Sequence, residues 1–237
     1  MDNQTLTIVF HSILRDDPPK STFDMPWPVA YSIIKSLHEM LPRTGHALQV
    51  FLDDGLKGHD RFARLVHKNL NVPTALAIVT GDIGSNGYLT IDDLLHLQRS
   101  GIHIASHGVS HAALGKYNNN TVLPTPKGGE YRNMPRGRLN VLSQHEIEYQ
   151  IQESAQWLTQ HHILAPAFVY PYGIYNQDIR MAVERSGYYM QAYSCDPIPQ
   201  DTTSNPFALP RIVIDSSRTQ EEWIQKILSL TKKYVAV

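Results

Sequence analysis

Apolar residues in this chain gather in short continuous runs, and between the runs they recur every three or four positions. The runs Leu6–Phe10, Ala47–Leu52, Ala75–Val79, Ile102–Ala105, Ala167–Tyr170 and Leu209–Ile214 predict strands buried on both faces. Tyr188–Tyr193 also reads as extended. The intervening segments predict helices. Pro28–Leu41 has Pro28 in its first turn, and a second helix spans about Asp60–Leu70. A third is capped by Thr90 and ended by Gly101. Ser143 and Glu146 have capping-box spacing and open a helix to about His161. Asn176–Ser186 is closed by Gly187, and Thr219 with Glu222 caps the last helix. Gly81–Gly87 is turn-rich. Strand followed by helix, six or seven times without an internal repeat, predicts an α/β fold with a parallel sheet, open or closed into a barrel.

Composition narrows the picture. With 237 residues and 42% hydrophobic content, the chain can bury one large core, and 1–237 reads as a single domain. Twenty-one basic residues against 22 acidic give a net charge of −1, which leaves no footprint for nucleic acid or an anionic membrane. A small or neutral partner is expected. No apolar stretch approaches the roughly 20 residues of a membrane helix. Cys195 is the sole cysteine, so the chain has no intrachain disulfide framework. Met1–Phe10 has no basic start and no long apolar region, so no signal peptide is expected and the location expected is cytoplasmic. A leader trimmed from the sequence would instead make it an exported protein.

The polar residues sit where strands end. His11 follows the first strand, and Phe51-Leu52-Asp53-Asp54-Gly55 ends the second. Ser106-His107-Gly108-Val109-Ser110-His111 follows the Ile102–Ala105 strand, and Tyr170-Pro171-Tyr172-Gly173 ends another. In βα barrels the carboxyl-end face carries the chemistry. One Asp and two His can hold a zinc ion with an open position, which leaves the other Asp as a base for water. Taken singly the signals are weak: Asp-Asp-Gly is a common turn, and 12 histidines make a spacing of four unsurprising. Their order and context together point to a metal hydrolase.

In that order the motifs resemble the polysaccharide deacetylase family, the NodB-homology group of carbohydrate esterases. The resemblance runs from about His11 through Arg211 and takes in Gly87-Tyr88-Leu89-Thr90, Leu94 and Gly101-Ile102. Tyr-Pro-Tyr-Gly is similar to the poly-N-acetylglucosamine deacetylase-like branch, whose motif order is circularly permuted. The resemblance implies a distorted (β/α) barrel in which Asp54, His107 and His111 hold a divalent metal, zinc by preference, and Asp53 is the general base. It further implies that the backbone N–H of Tyr172 completes an oxyanion site. No histidine follows His162, so His11 would take the part of general acid. Two departures stand out. Phe51-Leu52 replaces the usual Thr-Phe, and Tyr170 stands where the family places an arginine that steadies the base. Arg211, in Leu209-Pro210-Arg211-Ile212, is expected to pair with Asp53 instead.

The implied activity is metal-dependent removal of an acetyl group from an N-acetylated aminosugar in an oligo- or polysaccharide. The alternatives are hydrolysis of a non-sugar amide, imide or ureide on the same scaffold, or a non-catalytic carbohydrate-binding homologue. Lys116–Leu142 reads as a long loop insertion that either covers or walls the cleft, with Tyr117 or Tyr131 stacking on a sugar ring, or is a disordered or oligomer-contacting loop. The remaining histidines, His59 among them, are assigned to surface or core.

Overall fold

Seven parallel strands curl towards a barrel in the computed structural model of the chain, which describes residues 4–15, 17–114, 117–118, 121–122, 142–196 and 204–234. In chain order the elements are β1 (Gln4–Phe10), β2 (Ser12–Leu14), β3 (Asp24–Pro26), α1 (Trp27–Met40), β4 (His46–Leu52), α2 (His59–Leu70), β5 (Thr74–Ile78), α3 (Ile91–Arg99) and β6 (His103–Ser106). There follow β7 (Tyr117–Asn118), β8 (Thr121–Val122), α4 (Gln144–Gln160), β9 (Ala167–Val169), α5 (Gln177–Ser186), β10 (Gln191–Tyr193), β11 (Ile212–Val213) and α6 (Gln220–Tyr234). The main sheet runs β10-β9-β6-β5-β4-β1-β11, and every neighbouring pair is parallel. Helices therefore carry the chain back between strands, as parallel pairing requires.

Alternation along the strands sorts the two faces. Leu6, Ile8 and Phe10 of β1 and Leu48, Val50 and Leu52 of β4 join Ile33, Phe62 and Leu97 of the helices in one core. The residues of opposite parity, Val9, Phe51, Ala75, Ala77, Ala105 and Val169, fill the inside of the curled sheet. Alanine recurs there because a tightly curved sheet leaves little room between facing strands. Both faces being buried is why the strands read as continuous apolar runs.

The sheet's edges meet at the segment Leu209–Val213. Leu209 bridges Tyr193 of β10 in parallel, while Ile212 and Val213 pair with Ile8 and Val9 of β1. One six-residue strand was expected here, and the structure has only the two residues of β11 plus the bridge at Leu209. Pro210 lacks the N–H a ladder needs, and the chain changes partner on either side of it. Tyr188–Met190 likewise stays outside β10, and the short pair β2–β3 was not expected from the sequence. The capping box at Ser143 forms as its spacing implied, and Thr90 caps its helix as expected, with Asp93 completing a box there that was not anticipated. Among the described residues no helix is long and apolar enough to cross a membrane. Apart from β7 and β8, nearly all of the segment 116–142 lies outside the described residues, and so do the sugar-stacking roles expected of Tyr117 and Tyr131.

Candidate metal-binding active site

Asp53 continues the inward parity of Phe51 past the end of β4. Its N–H donates to the Phe10 carbonyl (3.0 Å), so the ladder holds it rigidly at the barrel mouth. The chain then turns through two left-handed residues, Asp54 (φ 76°) and Gly55 (φ 74°), and the Asp54 carboxylate comes to lie beside His107 and His111. Of five non-glycine residues with positive φ among the described ones, three are Asp54, His111 (φ 54°) and Tyr172 (φ 60°). Backbone in this region costs about 1–3 kcal/mol per residue and persists where the surroundings impose it, commonly at functional sites.

Asp54, His107 and His111 converge. Asp54 Oδ1 lies 3.7 Å from His107 Nε2 and 3.5 Å from His111 Nε2, and the three ligand atoms all lie within 4.8 Å of one another. Each of those atoms is buried with no hydrogen-bond partner. A buried unbonded polar atom is costly, so three that face one another fit a cation as their missing partner. His107 Nδ1 donates to the Val169 carbonyl (2.8 Å), which places the proton there and leaves Nε2 with its lone pair towards Asp54. Burial pushes both histidines down to about 4, His111 adding to the effect on His107. Both are therefore neutral imidazoles at pH 7, ready as ligands. The set of one carboxylate and two imidazoles is the donor chemistry of an open zinc site.

Arg211 stands where the family's usual arginine does not. It is fully buried and donates from Nη1 to Asp53 Oδ1 (2.8 Å) and from Nη2 to Asp53 Oδ2 (3.0 Å). Its Nε–H donates to the Ser194 carbonyl (3.0 Å), and its guanidinium lies 5.0 Å from the centre of the Phe51 ring. Burial works to raise the Asp53 carboxyl, but Arg211, His107 and His11 outweigh it and bring it to about 2. The guanidinium is in turn held above its ordinary range by Asp53. Tyr170, at the position of that usual arginine, instead donates its hydroxyl to the Phe207 carbonyl (2.9 Å) and stacks on Tyr175.

Tyr172 brings its ring to within 4.2 Å of His111, centre to centre. Its turn depends on Gly173, where a Cβ would come within 2.6 Å of Cys195 Cβ and 2.9 Å of its nitrogen. His11 packs on Phe23 (5.2 Å) and is near enough to depress both Asp53 and His111. The structure thus gathers all seven residues singled out in the sequence at one end of the barrel.

Two further residues support the site. Gln150 of α4, half a barrel away in sequence, accepts from the N–H groups of Val109 (2.9 Å) and Ser110 (3.0 Å) and donates to Ser110 Oγ (3.0 Å). With the bonds from Thr80 and Gly81 N–H to the carbonyls of Gly108 and Val109, it fixes the loop that carries both metal-facing histidines. The signal in the sequence was a glutamine on the stripe Ile147, Ile151, Ser154, Ala155 and Leu158, which is otherwise apolar or small and is buried with it. His59, assigned beforehand only to surface or core, is buried under the site. Its Nε2–H donates to the His11 carbonyl at 2.5 Å, and burial pushes it down to about 4. Nothing in a lone histidine opening a helix announced this.

A curled parallel barrel with two histidines and a carboxylate clustered at its carboxyl-end mouth, beside a second, ionised carboxylate, defines a hydrolase architecture. The family model described as polysaccharide deacetylase matches residues 42–191, and the chain belongs to that family, whose members hydrolyse amide bonds. Among solved structures it is similar to deacetylase PplD from Streptococcus pyogenes, determined in complex with acetate (TM-score 0.72, 14% identity, 94% of this chain and 98% of that one). It is also similar to IcaB from Ammonifex degensii (0.67, 15%, 97% and 97%) and to a polysaccharide deacetylase from Bacillus cereus (0.69, 16%, 94% and 69%). At these identities the likeness is one of fold. No curated protein sequence matches the chain.

Proposed function

We propose that the chain is a metal-dependent deacetylase that removes the acetyl group from an N-acetylated aminosugar within an oligo- or polysaccharide. The observation that carries the reading is the trio of buried, unbonded atoms Asp54 Oδ1, His107 Nε2 and His111 Nε2 beside a carboxylate locked ionised by Arg211. These three residues would hold the metal, zinc by the nature of the donors. When bound it supplies Lewis acidity towards the acetamide oxygen and towards water.

The protein's own groups supply the rest. Asp53, whose two oxygens each keep a lone pair beyond the Arg211 bonds, receives the proton of the water that attacks the acetamide carbon. The developing negative charge on the carbonyl oxygen is assigned to the Tyr172 N–H, in the turn packed on His111. His11, held through its carbonyl by His59, delivers the proton that the departing amine needs as the carbon–nitrogen bond breaks. Acetate and a free amino sugar result. A carboxylate at about 2 is a weak base, so Asp53 depends on water that is already acidified, which ties its role to an occupied metal site.

Metal content measured by plasma emission on zinc-reconstituted protein tests the reading, together with acetate release from N-acetylglucosamine oligomers. About one equivalent is expected in the wild type, with none in His107→Ala or His111→Ala and acetate release lost in both. A wild type that binds no metal would remove the mechanism.

A further inference from the structure

A cleft outside the catalytic mouth lies between the start of α1 and the outer face of α2. It has a volume of about 730 Å³, and its walls include Arg15, Trp27, Arg61, Arg64, Lys68 and Asn69. Among the described residues, every ionisable one lining it is a cation, in a chain whose basic and acidic residues nearly balance. Two other clefts differ: one, between α4 and α5, has Glu148, Asp178 and Arg185 in its walls, and another has His145, Glu148 and Glu153. Asp60 pairs with Arg64, while Arg61 and Lys68 stand exposed on the same helix.

The cations are ordered along the helix. Arg61, Arg64 and Lys68 recur at helical spacing on one face of α2, and Arg61 to Asn69 spans about 12 Å of helix. The Arg61 guanidinium lies 6.0 Å from the centre of the Trp27 ring, and Phe62 holds that ring edge-on from below at 5.1 Å. A fixed indole beside arginine forks suits a ring with an anionic substituent. Two of its residues lie close in sequence to residues of the catalytic face. Arg15 comes four residues after His11, and Arg61 two residues after His59, whose ring is bonded to the His11 carbonyl.

We propose that this cleft is a subsite for a glycan bearing phosphate or carboxylate groups, so that the enzyme acts on an acidic rather than a purely neutral polymer. The proposal rests on the deacetylase reading for the identity of the reacting sugar, while the anion site stands on the cleft itself.

The test titrates tetragalacturonate, N-acetylglucosamine 6-phosphate and neutral N-acetylglucosamine tetramer into EDTA-stripped protein by calorimetry, so that the metal site does not contribute. Wild type is compared with the double variant Arg61→Gln/Lys68→Gln, whose changes are on exposed positions. At least one acidic ligand is expected to bind wild type at least about tenfold more tightly than the double variant. That binding should weaken as salt rises through about 0.1 M, and the better ligand names the substituent. Neither acidic ligand binding, equal binding by the two proteins, or neutral tetramer binding as tightly as the acidic ligands would overturn the proposal. Acetate release from the neutral tetramer is measured separately on metal-loaded wild type. If metal-loaded wild type released none, the deacetylase reading would fail while the anion binding stood.

Discussion

Replacing Arg211 with leucine leaves the Asp53 carboxylate, 1% exposed, without its only bidentate partner. Removing one member of a buried ion pair costs about 3–5 kcal/mol, because the remaining charge stays desolvated. The pH dependence follows from the carboxyl's position, down from 3.8 to about 2. A carboxyl depressed in the folded state stabilises fully above its unfolded value and loses that contribution as pH falls from about 4 to 2. The depression corresponds to about 2 kcal/mol. Urea unfolding should therefore show Arg211→Leu several kcal/mol less stable than wild type at pH 7, with the gap narrowing below about pH 4. With Arg211 gone, burial acts on Asp53 against His107 and His11 alone and raises it, so the acid limb of kcat/KM moves to higher pH. Arg211→Lys keeps a charge but loses the two-pronged fit and the Ser194 bond, and should fall between the two. Arg211→Leu as stable as wild type at pH 7 within about 0.5 kcal/mol, with an unmoved acid limb, would refute the reasoning.

Three more outcomes follow from the supporting residues. Gln150→Leu removes the acceptor of two N–H groups and should lower stability by about 1–3 kcal/mol and weaken zinc affinity, measured by competition with a chromogenic chelator. His59→Leu should lower kcat with little change in KM and leave metal content at one equivalent, whereas His59→Gln, which keeps a donor towards the His11 carbonyl, should recover much of the loss. Gly173→Ala brings a Cβ against Cys195 and should lower Tm by several degrees, as overpacking costing about 1–3 kcal/mol does in a chain of this size.

The sequence by itself determined the strand and helix order, the capping box at Ser143, the parallel sheet and the placing of Asp53, Asp54, His107, His111 and Tyr172 at strand ends. These are consequences of local pattern: two-faced burial gives continuous apolar runs, and a carboxyl-end loop gives its residues to the mouth whatever the rest of the chain does. The length of the last strand was misjudged because Pro210 hands the chain from β10 to β1, and partner exchange has no local signature. The alignment of Arg211 with Asp53 was anticipated only as a substitute for a missing arginine. Its two-pronged fit depends on the sheet curling until β11 lies beside β1. The parts of Gln150 and His59 were decided by tertiary structure alone. Each bonds to backbone about 40 or more residues away, and a main-chain partner leaves no trace in side-chain pattern. The concentration of cations against Trp27 is of the same kind, since Arg15 and the outer face of α2 meet only when β1 and β4 pair.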